Sequence, residues 1–203
     1  MSLRLNKFRL NGAWWVLAIF IISGFLLRFY EFHWGLPGFY ASDTQIVSEA
    51  ADMGNALLQK NWNFFAEPAK YPFITPYLLL FANGVFFTFG IIWGTFSSAA
   101  DFLNFIAINQ EIPFLIARFL SILAGTAIIP LAFFTARLLA KRFGFAKPES
   151  AAVISAFFAG FSLLLYQFSR LERSHIIAGF FTLLSYFLYL RFLEKPSRKN
   201  GLW

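Results

Sequence analysis

Cysteine is absent from the 203 residues, and charge is sparse: 10 acids and 17 Lys or Arg make up 13% of the chain. The first absence excludes disulfide frameworks, Cys-ligated zinc, iron–sulfur clusters and thiol nucleophiles, while leaving the redox compartment open. Two histidines among scattered acids form no metal-ligand pattern, so neither a metal nor another cofactor is expected. The charge content, about half the roughly 25% of a soluble domain, excludes an ordinary water-soluble protein. No Gly/Ser-rich linker and no repeat of 20–50 residues divides the chain. What fills it instead is apolar. Hydrophobic residues reach 59%, with Phe 30, Trp 6 and Tyr 7, and the mean hydropathy is +0.62. Disorder is excluded as well, and the chain is better counted in membrane spans of about 20 residues than in domains.

The pattern predicts an all-α, polytopic transmembrane helix bundle. A basic cytoplasmic leader, 1–12, with Arg4, Lys7 and Arg9, precedes the first apolar run, Trp14 to Leu27. No small-x-small cleavage site follows, so 13–30 reads as an uncleaved first transmembrane helix, ending in an interfacial border of Arg28, Tyr30 and Trp34. Residues 31–71 form the one long hydrophilic loop. Within it Ser42-Asp43-Thr44-Gln45 fits a capping box, opening an amphipathic helix over about 43–60. Its apolar face is Ile46, Ala50, Met53 and Leu57, as expected of a juxtamembrane helix lying on the membrane surface. Further transmembrane helices are predicted at 113–140, 150–169 and 174–193, with Arg118 the one charge clearly embedded in the apolar runs.

Cytoplasmic loops collect Lys and Arg. With the N-terminus and the basic connectors 141–147 and 194–199 inside, 11 of the 17 basic residues lie inside, among them Arg137, Arg142 and Lys195. Eight of the ten acids, including Glu31, Asp43, Glu67 and Glu172, are then outside. This arrangement requires 72–112 to be a hairpin or a re-entrant segment that begins and ends on the outer side. The net charge of +7 is thereby an orientation signal with anionic membrane lipid as its neighbour. Basic residues split among three short segments give no nucleic-acid surface.

Three clusters carry possible chemistry. Asp43 is either a helix-capping carboxylate, stabilised by the macrodipole by about 0.3–1 kcal/mol, or a general base toward an acceptor hydroxyl. Lys70 and Tyr71, ahead of Pro72 and with Pro76-Tyr77, mark the return to the membrane; Lys70 either snorkels to the interface or sits over an anionic head group. The segment Ser169-Arg170-Leu171-Glu172-Arg173-Ser174-His175 is either a solvated turn or a border cluster of functional charges. All three fall on the same outer face. An acid with several cations at the lipid–water border suits a lipid-linked phosphate whose phosphate is the leaving group.

These residues also resemble a known family. Gly-Leu-Pro-Gly-Phe-Tyr-Ala-Ser-Asp43, Lys70-Tyr71-Pro72 with Pro76-Tyr77-Leu78-Leu79, Ala117-Arg118-Phe119-Leu120-Ser121 with Gly125-Thr126, Ala136-Arg137-Leu138-Leu139 and Ser169-Arg170-Leu171-Glu172-Arg173 resemble the start of the GT-C membrane glycosyltransferases. The likeness is to the dolichyl-phosphate-mannose protein mannosyltransferase and aminoarabinose transferase group. It implies transfer of a sugar from a polyprenyl-phosphate donor to a protein, lipid or glycan acceptor on the extracytoplasmic side of the cell membrane, with inversion. Asp43 matches the family's proposed base, Lys70 a lysine facing the donor phosphate, and Arg170 and Arg173 the later Arg-x-x-Arg turn. Tyr71 and His175 join them as substrate-binding candidates. Where the family usually carries a pair of acids this chain has Asp43-Thr44, and His175 stands where relatives often have Asp. Such enzymes are normally much longer, and Gly201-Leu202-Trp203 reads as the lead-in to another helix, so the expectation is the N-terminal portion of a transferase. The alternative is a non-catalytic membrane subunit that binds a lipid-linked saccharide.

Overall fold

The computed structural model describes residues 12–30, 32–33, 44–62, 74–169 and 174–194. Among these residues all regular structure is helical: α1 (Gly12–Phe29), α2 (Thr44–Leu58), α3 (Ile74–Ile92), α4 (Ala99–Ile108), α5 (Glu111–Arg142), α6 (Pro148–Phe161), α7 (Leu163–Ser169) and α8 (Ser174–Glu194). Four of these, α1, α3, α5 and α8, are long and apolar enough to cross a membrane, and α6 with α7 makes a fifth if the bent pair is one span. These spans are consistent with a multi-pass membrane protein. On α1 the residues Trp15, Ile19, Ile22 and Leu26 are exposed while Leu17, Gly24 and Arg28 are buried. A helix apolar on both faces suits a lipid surround rather than water.

The 32-residue α5 is the centre of the bundle, touching α1, α2, α3, α6, α7 and α8. It runs without interruption through Pro130. Lipid gives no hydrophobic drive for helix association, so close backbone approach through small residues is the means of packing. α6 supplies such a stripe in Ala152, Ala156, Ala159 and Gly160, all buried. Ala152 and Ala156 meet Leu17 of α1 and Ile129 and Phe133 of α5. Ala159 meets Ile128 of α5 and Ile176 and Ile177 of α8. Leu17 lies against Phe133, and a methyl on Gly24 would meet Ile129 and one on Gly125 would meet Arg28, so α1 and α5 run antiparallel.

The region 150–169, expected as one helix, is two helices bent by 51° at Ser162. Ser162 has an extended backbone, ψ 122°, which ends the α-helical hydrogen-bond ladder. Between α3 and α5 the chain turns at Trp93–Ser98 and returns as α4, whose ten residues span only about 15 Å, too short to cross. Phe96 is buried in the middle of this fold-back, its ring against Phe86 and Phe87 of α3 and Phe102 and Phe105 of α4. The apolar face of α2 is turned onto the bundle: Ile46, Val47 and Ala50 pack with Leu79 of α3 and Ala117 of α5. Met53 is buried too, whereas Leu57 is largely exposed.

Candidate functional site

Of the candidate residues, Asp43, Lys70, Tyr71, Arg170 and Arg173 lie outside the described residues, as does Ser42 of the capping box. His175 is described. It is the second residue of α8, exposed, with its ring 5.5 Å from that of Phe168 at the end of α7 and nearly perpendicular to it. Among the described residues no group of three or more His, Cys, Asp or Glu could hold a metal ion.

The elements next to these positions are well anchored. α2, which begins at the residue after Asp43, is docked on α3 and α5 through Ile46, Val47 and Ala50. α3 begins three residues after Tyr71, with Thr75, Pro76 and Leu79 buried. The segment 170–173, which lies outside the described residues, is bracketed by Ser169 and Ser174, both buried. A cavity of about 320 Å³ opens between α2, α3 and α4, lined by Val47, Gly54, Leu58, Leu80, Phe87 and Phe102 with Asn55 and Asn83 as its polar members.

Two arginines are buried along the seam of α1 and α5. Arg118 of α5 donates from Nη1 to the carbonyl of Phe32 at 3.2 Å. Arg28, expected at an interfacial border, is instead fully buried, so the embedded charges include it as well as Arg118. The reason is rotational: Leu17, Gly24 and Arg28, spaced i, i+7 and i+11, share the helix face that points into the bundle. The sequence did not announce it, because Trp15, Ile22 and Leu26 share the same spacing on α1 and are exposed. Arg28 donates from Nη1 to Gly24 O at 2.9 Å and Gly160 O at 3.0 Å, and from Nη2 to Ala159 O at 3.1 Å. Its Nε, also buried, has no hydrogen-bond partner among the described residues. The charge therefore faces the carbonyl end of α6, the negative end of the helix dipole, and among the described residues no carboxylate bonds it. Arg28 thereby ties the end of α1 to the backbone of α6.

Two other ionic features are structural. Arg137 donates from Nη2 to Glu149 Oε1 at 3.0 Å and lies over the Trp14 ring at 5.9 Å, tying the ends of α1, α5 and α6. Asp101, in the first turn of α4, accepts from the hydroxyl of Ser97 and from its amide at 3.1 Å. Those two bonds, the hydroxyl's first, hold its carboxyl below the ordinary carboxylate value. Compared with known protein families, with curated proteins and with solved structures, the chain matches none.

Proposed function

We propose that the chain is a polyprenyl-phosphate-sugar-dependent glycosyltransferase, or the N-terminal portion of one, acting at the extracytoplasmic face of the cell membrane. The observation that carries this reading is the order and spacing of Asp43, Lys70-Tyr71-Pro72, Ala117-Arg118-Phe119 and Arg170-Leu171-Glu172-Arg173 along one chain. Helices long and apolar enough to span a membrane support it, since the donor is a membrane lipid.

In this mechanism the acceptor hydroxyl attacks the anomeric carbon from the side opposite the phosphate. Asp43 takes the hydroxyl proton, the bond from the anomeric carbon to the phosphate oxygen breaks, and polyprenyl phosphate leaves. Lys70, Arg170 and Arg173 stabilise the charge on the departing phosphate, and Tyr71 and His175 contact substrate. α2, continuing directly from Asp43, is an amphipathic juxtamembrane helix on the outer side, its buried residues anchoring the base to the bundle.

The test uses the full-length protein in membranes with a polyprenyl phosphate carrying a radiolabelled sugar. Asp43→Asn is expected to abolish transfer at unchanged expression, and Lys70→Ala and Arg173→Ala to raise the donor concentration required. Retained transfer by Asp43→Asn overturns the assignment of the base. Saturable donor binding by the wild-type protein without turnover overturns the enzyme reading in favour of a lipid-saccharide-binding subunit.

A further inference from the structure

The bend between α6 and α7 and the burial of Arg28 are two halves of one arrangement. The last hydrogen bond of α6 at the break runs from the Ser162 amide to Phe158 O at 2.9 Å, and the ladder resumes with the Tyr166 amide on Ser162 O at 2.9 Å. In an uninterrupted helix Ala159 O and Gly160 O would accept from the amides of Leu163 and Leu164. At the break they accept from Arg28 Nη2 and Nη1. Backbone freed from its ladder in an apolar surround must find donors inside the protein, and an arginine near a helix C-terminus supplies both the hydrogen bonds and the opposing charge.

The space for this contact is built into three helices. An added Cβ at Gly24 of α1 would lie 3.1 Å from Arg28 Nη1, and one at Gly125 of α5 would lie 3.1 Å from Arg28 Nε and 2.5 Å from Ser169 Cβ. Gly160 of α6 provides an accepting carbonyl and lies beside Ile129 and Phe20 O. Ser169, fully buried, ends α7 against Gly125 and donates from Oγ to Tyr166 O at 2.9 Å.

We propose that Arg28 is a conformational pin: by capping the carbonyl end of α6 it holds the α6–α7 span in its bent form and sets the direction in which α7 leaves Ser162. The bent and continuous forms of the span are the two states, and the guanidinium binds only the bent one, because only there are the Ala159 and Gly160 carbonyls open to it. α7 leads directly in the chain to the segment containing Arg170 and Arg173, so the end of α1 controls the position of Ser169, from which that segment departs. The proposal stands on the geometry of the break and is independent of the transferase reading.

The absence of cysteine makes the chain a ready background for spin labels. Leu123→Cys on α5 with Gln167→Cys on α7 reports the arm, and Leu123→Cys with Leu188→Cys on α8 reports the rest of the bundle; all three positions are solvent- or lipid-facing. Pulsed electron paramagnetic resonance on the full chain in nanodiscs gives both distances. In Arg28→Met the distribution for 123 and 167 is expected to shift or broaden by up to roughly 6 Å, the displacement of a point five residues past a straightened 51° pivot. The 123 and 188 distribution stays unchanged, and Arg28→Lys, which keeps the charge, disturbs the arm less than Met does. An unaltered distribution for 123 and 167 in Arg28→Met overturns the pin. So does equal disturbance of the control pair, or loss of the folded chain in both the Met and Lys variants, because a local pin replaced by an apolar side chain of similar volume leaves the bundle intact.

Discussion

Arg28 Nη1 and the carbonyl oxygen of Gly160 lie 3.0 Å apart although 132 residues separate them in the chain. The contact exists because glycines let α1, α5 and α6 come close around a guanidinium that would otherwise have no room. Gly125 is the tightest point on the α7 side. A methyl there meets Ser169 Cβ at 2.5 Å, whereas one at Gly24 meets the far end of the Ile129 side chain. Gly125→Ala is therefore expected to destabilise the folded chain by about 1–3 kcal/mol, and Gly24→Ala by less. Thermal unfolding of both variants in the same detergent checks the order.

Three helix ends share one backbone solution, and one of them lacks glycine. After α3, Gly94 has φ +73°, with its amide on Ile91 O and that of Thr95 on Gly90 O. After α5, Gly144 has φ +71°, with bonds to Lys141 O and from Phe145 to Ala140 O. After α2 the same pair of bonds, Lys60 to Leu57 O and Asn61 to Ala56 O, places Lys60 at φ 55°. A side chain in that left-handed region costs about 1–2 kcal/mol. Lys60→Gly is expected to stabilise α2 by about 1 kcal/mol, and Gly144→Ala to destabilise the end of α5 by a similar amount. Hydrogen exchange over residues 53–62 reads the first effect locally.

Arg137 does two things and Glu149 one. Their bridge is half-exposed, 28% and 41% by side chain, so Glu149→Gln is expected to cost at most about 1 kcal/mol. Arg137→Met loses the bridge and also the contact over the Trp14 ring, adding about 0.5–1 kcal/mol. A double-mutant cycle of Arg137→Met and Glu149→Gln separates the two terms. Tryptophan fluorescence, altered by Arg137→Met and not by Glu149→Gln, identifies the second.

The fold-back of α4 carries an acid dependence of known sign. Because the Ser97 hydroxyl and amide lower the Asp101 carboxyl in the folded state, its contribution is present above the ordinary carboxylate range. It is lost as the pH falls through the depressed folded value. Asp101→Asn should abolish this part of the acid sensitivity, and Ser97→Ala should weaken it by removing the larger of the two donors. Hydrogen exchange of residues 99–108 during an acid titration is the measurement.

Helix content, and the presence of several helices long and apolar enough to cross a membrane, were legible in the sequence because they depend on composition over short windows. Thirty phenylalanines and 13% charge leave the apolar runs no alternative in lipid to satisfying their own backbone as helices. A 3.6-residue period sufficed to find Ile46, Ala50 and Met53 of α2, which are buried, but not to place Leu57, which is exposed, nor to show that Ile46 and Ala50 pack on α3 and α5 rather than on the membrane surface. The candidate site was legible only as a pattern. Of its six residues His175 alone is described, exposed beside Phe168, and the other five lie outside the described residues.

The sequence by itself determined that this is an all-helical chain with apolar helices of membrane-spanning length, since the burial preference of each run is a sum over its own residues. Only the tertiary structure decided where the span at 148–169 breaks and what becomes of Arg28. The apolar stretch around Ser162 contains no proline to announce a bend. The bend depends on the Ala159 and Gly160 carbonyls accepting from a guanidinium of α1, and whether that donor arrives is settled by how α1, α5 and α6 pack. A local pattern carries no information about a hydrogen bond whose partner lies 132 residues away.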